Sequence, residues 1–380
     1  MTDFLNFFLL GRCFFYGRAF YVKSDKYVII IIAVILAFNN TQVSFILSAI
    51  FIFKHTKKKP NNNMEFIHIN KKQVKHVDAV VMETVGFPDS DGRKWDIKEK
   101  DARYRSLFGA PLLVITAAWQ MIKYLVCDDY EIKHLLWGLV FLKVYAKNQT
   151  IHCSIVGWPT VKEFSSRSWY IIRILAEQKN RIVTLQSRFE GSPPQDPNNP
   201  TKIPNLVADC ADFHIDEPFP WHKKWVSRKF NGPGLKYFVA IAIHSNNICY
   251  AEGPEIATRN ESRFVKETLL LEMPDDEPIE VDAGPKGDSR LMGPDTGMSS
   301  EIRKKKSILR ARCETIFSFI KSFQVMDTHF HHRALSADDM MENHKDCFDA
   351  VVVITQLKFM LGVNTLFDSP DMTDVSYSVV

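Results

Sequence analysis

The chain has 380 residues, of which 46% are hydrophobic and 24% charged, and its formal net charge is +4. These proportions are typical of a globular protein and exclude a disordered chain. The length predicts two or three domains with a large core. The small net charge excludes a general polycation, so nucleic-acid binding would have to depend on local basic clusters. The seven scattered cysteines contain no CxxC pair, which favours a reducing compartment over a disulfide framework.

The first 63 residues form an apolar leader. Residues 28–53 are apolar apart from a polar break around residues 39–42, and a lysine-rich run at 54–59 follows. As a helix, this segment is long enough to cross a bilayer, with the lysines on the cytosolic side. The break, however, divides it into two runs that are each too short. Two interpretations stay open, a membrane anchor over 28–53 and an apolar leader without function.

Residues 105–190 carry a helical pattern. Apolar residues recur at helical spacing from Leu107 to Tyr145, which predicts two helices. A further helix is expected over Thr160–Gln178, with Thr160 as its N-cap and Glu163 three residues later. Short helices joined by tight turns predict a small all-α, helix-turn-helix-like module here. A helical scaffold without DNA contact is an equal alternative.

The proline- and asparagine-rich segment 192–200 predicts a domain boundary. Beyond it the pattern predicts strands at 203–208, 237–243, 248–251 and 278–281, and helices at 263–272, 303–323 and 345–361. This order of elements predicts an α/β domain of RNase H-like fold over residues 200–362. Residues 363–380 are then a tail.

Three acidic residues stand out in the predicted α/β domain. Asp209 and Asp282 each end an apolar run, whereas Glu314 lies in a basic, helical segment. Two-metal phosphodiester hydrolysis needs carboxylates that converge from separate elements, and Mg²⁺ takes oxygen ligands. Acids are also common at strand ends and on helices for solubility alone, so their placement by itself leaves both explanations open.

The segments around these acids match three patterns in order. Ala208–Ile215, followed by Pro218, fits hydrophobic-Asp-Gly-Thr-His-Ile followed by proline. Asp282-Ala283-Gly284 fits Asp-Ala-Gly-Tyr, and Arg310–Glu314 with Lys321 fits Arg-x-Arg-His-Glu followed by a lysine. With these motifs the chain resembles the Harbinger (PIF) branch of the DDE superfamily transposases over about residues 105–368. It departs from the family at three positions, which are Cys210 for glycine, Pro285 for an aromatic residue and Cys313 for histidine.

The resemblance implies that Asp209, Asp282 and Glu314 are catalytic residues that bind a divalent metal, Mg²⁺ or alternatively Mn²⁺. It also implies a DDE endonuclease that cuts and joins DNA phosphodiesters. Such enzymes work in the nucleus, as homo-oligomers and with a separate Myb-like DNA-binding protein. Three nearby acids rank lower as candidates: Asp212, Asp216 and Asp288. Asp288 has no predicted strand behind it.

Basic residues cluster before and after Glu314. The candidates for phosphate contact are Arg303, Lys304, Lys305, Lys306, Arg310, Arg312 and Lys321. A solvated helix face is the alternative. Residues 223–230 also interleave basic and aromatic side chains, which suits a DNA strand or the surface of a hairpin.

Two other functions stay open beside the endonuclease. One is a catalytically inactive DNA- or chromatin-binding protein of the same fold. The other is a membrane-anchored protein of unknown role. The histidines at 329, 331, 332 and 344 suggest zinc, but no cysteine shares metal-ligand spacing with them, so structural or surface histidines are expected.

Overall fold

The computed structural model describes residues 5–10, 13–23, 27–37, 45–54, 69–85, 96–192, 204–282, 287–293, 298–332 and 336–366. The chain divides into two compact units, Met1–Phe66 and Ile67–Val380. The segment 192–200, predicted to be a domain boundary, lies mostly outside the described residues. The predicted tail lies outside them from residue 367 onward.

The first unit contains one antiparallel sheet of four strands in chain order. They are β1 (Leu5–Leu10), β2 (Cys13–Lys23), β3 (Tyr27–Ala37) and β4 (Phe45–Lys54). The candidate membrane segment 28–53 thus coincides with β3 and β4 rather than with a helix, and its residues 38–44 lie outside the described residues. No single helix in the described ranges is long and apolar enough to span a membrane. One helix pair, Lys98–Phe108 with Leu112–Ile122, meets that test by length and composition across a 54° bend.

The second unit begins with helices. They are α1 (Lys71–Val85), α2 (Ile97–Phe108), α3 (Leu112–Ile122), α4 (Ile132–Val144), α5 (Gln149–Ile155), α6 (Val161–Ala176) and α7 (Lys179–Ile182). Thr160 caps α6 as predicted, because its side chain accepts a hydrogen bond from the backbone N–H of Glu163 at 3.2 Å. Helix α4 is apolar around its circumference and buried from His134 to Leu142. Since it has no exposed face over that stretch, it serves the core and cannot read DNA.

A mixed sheet follows the helices. Its strands are β5 (Leu206–His214), β6 (Val226–Ser227), β7 (Gly232–Ala242), β8 (Ile248–Ile256), β9 (Ile279–Val281) and β10 (Leu291–Met292). Their order is β10-β9-β5-β7-β6, with β8 also paired to β7. Strand β9 is parallel to β5 and β10, whereas β7 is antiparallel to β5, β6 and β8. The second unit is therefore mixed α/β, a helical part followed by a mixed sheet, as the sequence predicted.

Helices cover both faces of this sheet. They are α8 (Glu261–Glu267), α9 (Leu269–Glu272), α10 (Ser300–Lys321), α11 (Gln324–Asp327) and α12 (Ala337–Met360). Side chains alternate between faces along a strand. In β5, odd-numbered residues such as Val207 and Phe213 join the large core with α10 and α12. Even-numbered residues such as Ala208 and Cys210 join a smaller core with α8 and α9.

The large core contains a neutral histidine. His344 on α12 is fully buried, and its Nδ1 shares a 2.7 Å hydrogen bond with the hydroxyl of Tyr237 on β7. Burial lowers the pKa of His344 to about 3, because a charged imidazolium would lose its hydration there. The folded protein therefore keeps this side chain neutral at a pH where an exposed histidine is protonated.

Acidification should destabilise the fold through His344. Below pH 6.5 the unfolded chain binds a proton that the folded chain does not, so stability is lost progressively as the pH falls from 6.5 towards the folded pKa. For one such group the free energy of unfolding falls by about 1.4 kcal/mol between pH 7.5 and 5.5. Denaturant unfolding of the full chain at the two pH values measures this difference. It should shrink by about that amount in His344→Gln and stay unchanged in His329→Gln, where the side chain is exposed. An equal pH dependence in both variants would contradict the explanation.

Candidate active site

The sheet places two of the three predicted acids side by side. Strands β5 and β9 are parallel, with Val207 opposite Glu280 and Ala208 opposite Val281. Asp209 and Asp282 each come one residue after the last of these pairs, so they stand at the same level of adjacent chains. By alternation both lie on the face that carries Val207 and Glu280. This is the face covered by α10.

Asp209 is half-buried beside other charges. Burial raises its pKa to about 6. Two groups oppose this rise. The N–H of Cys210 donates a hydrogen bond to Oδ1 of Asp209 at 2.7 Å, and the ammonium group of Lys229 lies close enough to favour the charged carboxylate. The carboxylates of Glu261 and Asp282 raise the pKa further. The influence of Asp282 agrees with the strand register, which brings the two acids together.

Two cations of α10 pair, in the same order along the chain, with an acid in β9 and the acid directly after it. Lys306 Nζ lies 2.6 Å from Oε2 of Glu280, and Arg310 Nη1 lies 2.7 Å from Oδ1 of Asp282. Four residues advance a helix by about 6 Å, and two residues advance a strand by about 6.6 Å. The spacing of Lys306 and Arg310 along the helix therefore matches the spacing of Glu280 and Asp282 along the strand, and the helix runs parallel to the strand.

Glu314 continues the row on α10, one turn beyond Arg310, and is exposed. Its neighbour Cys313 is buried, with Sγ 3.5 Å from the carbonyl oxygen of Val207. Burial raises the pKa of Cys313, and the carboxylates of Asp209 and Glu314 both add to the rise. Asp209 and Glu314 thus both act on the same thiol, one from the sheet and one from the helix.

The three acids do not form a ready metal site. Across the described ranges, no three His, Cys, Asp or Glu side chains are grouped so that they could hold a metal ion. Arg310, rather than a third carboxylate, lies against Asp282. The structure brings Asp209 and Asp282 together and places Glu314 on the helix that covers them.

The lower-ranked acids have other roles. Asp212 faces away from Asp209 and forms a buried ion pair with Lys236 at 2.9 Å. Burial favours a higher pKa for Asp288, but hydrogen bonds from the backbone and guanidinium of Arg290 lower it. Asp216 lies beyond the far end of β5, where its N–H donates to the carbonyl of Phe330 at 2.9 Å. None of these acids lies beside Asp209.

The candidate DNA-contact residues divide into two groups. Exposed or partly exposed are Arg303, Lys304, Lys305, Arg310 and Lys321. Two others are inside the protein, which corrects the expectation for them. Lys306 is fully buried in its pair with Glu280, and Arg312 donates from Nη2 to the carbonyl of Ser245 at 2.6 Å. A buried side chain that already bonds within the protein cannot contact a phosphate.

Two residues near the acids were not predicted from the sequence. Glu280 was hidden in an apolar run, although a carboxylate two residues before Asp282 has to share its face. Lys229 reaches the middle of β5, where its Nζ donates to the carbonyl of Cys210 at 3.0 Å. It belongs to the basic and aromatic segment 223–230, so composition gave a hint of it.

The two departures from the Harbinger-like pattern that the structure describes, Cys210 and Cys313, lie on opposite faces of β5. The side chain of Cys210 points into the smaller core on the face opposite to Asp209. Cys313 packs against Val207 in the large core. Pro285 lies outside the described residues.

The histidine-rich segment lies away from the acids. A cavity of about 380 Å³ is lined by Tyr145, Lys147, Asp216, Thr328, His329 and His331. His332 has a structural partner, since its Nδ1 shares a 2.8 Å hydrogen bond with the Tyr145 hydroxyl. None of Asp209, Asp282 and Glu314 lines this cavity.

Breaking the buried ion pair between Lys306 and Glu280 should destabilise the fold. Lys306→Met leaves the Glu280 carboxylate without its counter-ion, and we expect the free energy of unfolding to fall by about 3–5 kcal/mol. Lys304→Met, at an exposed position on the same helix, should change it by about 0.5 kcal/mol or less. Denaturant unfolding measures both.

A second substitution tests the cause. In Glu280→Gln with Lys306→Met no charge is left buried, so at least half of the lost stability should return. A double variant no more stable than Lys306→Met would show that the loss comes from packing instead.

No protein-family model matches the chain, and no curated protein or solved structure matches it either. A function therefore has to be argued from the geometry of the site. That geometry consists of one carboxylate within the central strand β5, a second directly after its parallel neighbour β9, and a third on the helix that covers them.

Proposed function

We propose that this protein is a DDE endonuclease similar to the Harbinger-like transposases, which cuts and joins DNA phosphodiesters at Asp209, Asp282 and Glu314. The observation that carries the proposal is the register of β5 and β9, which aligns Asp209 with Asp282. Acids placed by chance in or after two strands would not need to be aligned in this way. Glu314 joins them from the next long helix.

The sheet supports an RNase H-like fold for this domain. In the order β8-β7-β5-β9-β10 only β7 runs against its neighbours, which is the strand arrangement of that fold. The acids follow the same logic. The first lies in the central strand, the second directly after its parallel neighbour, and the third on the helix after the last strand.

Two of the three carboxylates have the ligand chemistry that a divalent cation needs. Asp209 and Asp282 offer oxygen ligands, which Mg²⁺ and Mn²⁺ prefer. Burial is the main cause that raises the pKa of Asp209 to about 6, and the carboxylates of Glu261 and Asp282 add to the rise. A bound cation would offset the repulsion between Asp209 and Asp282. Once bound, such a cation would activate water and stabilise the leaving oxygen. Glu314 is the third candidate ligand, one turn beyond Arg310.

Positive charge near the acids suits a DNA backbone. Arg303 and Lys304 are exposed at the start of α10. Lys321 lies at its end, with Nζ 5.2 Å from the ring centre of Phe213 on the face of Asp209. Lys229 donates from Nζ to the carbonyl of Cys210, the residue after Asp209, at 3.0 Å. Basic side chains at both ends of the helix would hold the phosphates on either side of the reacting one.

The second candidate is a catalytically inactive DNA- or chromatin-binding protein of the same fold. The ion pair between Arg310 and Asp282 favours it, because a guanidinium occupies an oxygen that a metal would need. In either function the resemblance implies a homo-oligomer in the nucleus with a Myb-like partner protein. The two candidates differ in whether DNA is cut.

Nicking of supercoiled plasmid by the full chain with Mg²⁺ or Mn²⁺ tests the endonuclease. Activity should disappear with EDTA and fall roughly 100-fold or more in Asp209→Asn, Asp282→Asn and Glu314→Gln, because each loses a charged oxygen ligand. Asp288→Asn is the matched control and should cleave like the wild type.

Absence of cleavage and of metal binding in the wild type would rule out the enzyme. DNA binding that survives in all these variants would then support the inactive alternative. Equal losses in Asp288→Asn and Asp209→Asn would show that cleavage does not depend specifically on Asp209, Asp282 and Glu314.

DNA affinity should depend on the exposed end of α10. Each phosphate contact contributes about 0.9 to the slope of log affinity against log salt for duplex DNA. Replacing Arg303 and Lys304 together by glutamine should reduce that slope by about 1.8, as measured by fluorescence anisotropy over a salt series. The control replaces Lys71 and Lys72, both exposed on α1, and should leave the slope unchanged. An equal reduction in both variants would place the DNA elsewhere.

A further inference from the structure

We infer that Arg310 is an internal counter-ion of Asp282 which a divalent cation has to displace before the acids can hold it. The inference rests on the proposed function, because it concerns the same carboxylates. It adds a residue that opposes metal binding in the free protein. Arg310 then acts as a positioning residue for Asp282, not as a catalytic residue.

The first argument comes from the two ion pairs in the row. The side chains of Lys306 and Glu280 are both 0% exposed, so neither can leave without abandoning a buried charge. In the neighbouring pair, Arg310 is 33% exposed and Asp282 is 50% exposed. Exposed ion pairs are weak and exchange readily with solvent and ions. The ion pair of Lys306 with Glu280 is therefore permanent, whereas the pair of Arg310 with Asp282 can exchange.

The second argument is the geometry of the guanidinium. Arg310 donates from Nη1 to Asp282, while its buried Nε has no hydrogen-bond partner in the described part of the chain. Arg188 shows the contrasting arrangement in this protein. Its Nε and Nη2 bond both oxygens of Glu277, each at 2.8 Å. A two-point contact of that kind is the stronger one, so Arg310 is held less firmly than the fold could achieve.

The third argument is what Arg310 covers. It bonds Oδ1 of Asp282, the acid aligned with Asp209, so a guanidinium and a metal ion would compete for one oxygen atom. Removing the guanidinium takes a positive charge away from two adjacent carboxylates. Both effects strengthen the attraction of that position for a divalent cation.

Calorimetric titration of the metal-free full chain with Mn²⁺ tests this role. We expect Arg310→Gln to bind Mn²⁺ roughly tenfold more tightly than the wild type, because it loses both the competitor and its charge. Arg181→Gln removes one charge at an exposed site at the end of α7 and should bind like the wild type. Adding Asp282→Asn to Arg310→Gln should abolish the gain.

Each other outcome overturns the inference. If the wild type binds Mn²⁺ and Arg310→Gln binds no more tightly than Arg181→Gln, Arg310 is no competitor, while the proposed function stands. If neither the wild type nor any variant binds Mn²⁺, both fail together. A gain that survives Asp282→Asn would show that the competition is not for that carboxylate.

If Arg310→Gln does not fold, the conservative variant Arg310→Lys tests the same inference. Arg310→Lys keeps the charge but shortens the reach to Asp282, so an intermediate gain of roughly threefold is expected. Affinity equal to that of Arg181→Gln would then overturn the inference. Unfolding midpoints of all variants without metal show whether the changes act on Mn²⁺ binding or on the fold.

Discussion

The arrangement of the acids depends on one buried ion pair, between Lys306 and Glu280. Both side chains are inaccessible to solvent, so the pair fixes the helix α10 over the strand β9 at a single register. Once Lys306 is fixed, helical geometry places Arg310 over Asp282 and Glu314 one turn further on. The candidate site is therefore built by a residue pair that takes no part in any chemistry.

The net charge of this protein says little about which of its basic residues can bind DNA. The cations of α10 look like one basic cluster in the sequence, yet they serve three purposes in the fold. Lys306 and Arg312 are bound inside the protein, Arg310 neutralises an acid of the site, and Arg303 with Lys304 faces solvent. The net charge of +4 is the difference between 48 basic and 44 acidic residues, and it does not show which of them are buried, paired or exposed.

The sequence predicted elements better than it predicted partners. Hydrophobic patterning located β5, β7, β8 and β9 and the helices α10 and α12, but not the strands β1 to β4, β6 and β10 or the helix α1. It ended β5 at residue 208, whereas the strand continues to His214, because a central strand buried on both faces tolerates Asp209 and Asp212 only with partners from elsewhere in the fold. The alignment of Asp209 with Asp282 follows from strand register, which a single chain's pattern does not contain. The burial of Lys306 likewise depends on Glu280, and helical periodicity alone placed it among solvated cations.

The charges of Lys306 and Arg310 on α10, opposite Glu280 and Asp282, also determine where the helix lies along the strand. If the helix slid along the strand by one turn, Arg310 would meet Glu280, and Glu314 would meet Asp282 where Arg310 now stands. Two carboxylates would then face one another, an arrangement that repels in water and becomes favourable only around a cation. The order of the charges thus makes the observed helix position stable without a metal ion, whereas the position one turn away would need a cation. Flanking charges select the register of a coiled coil in the same way.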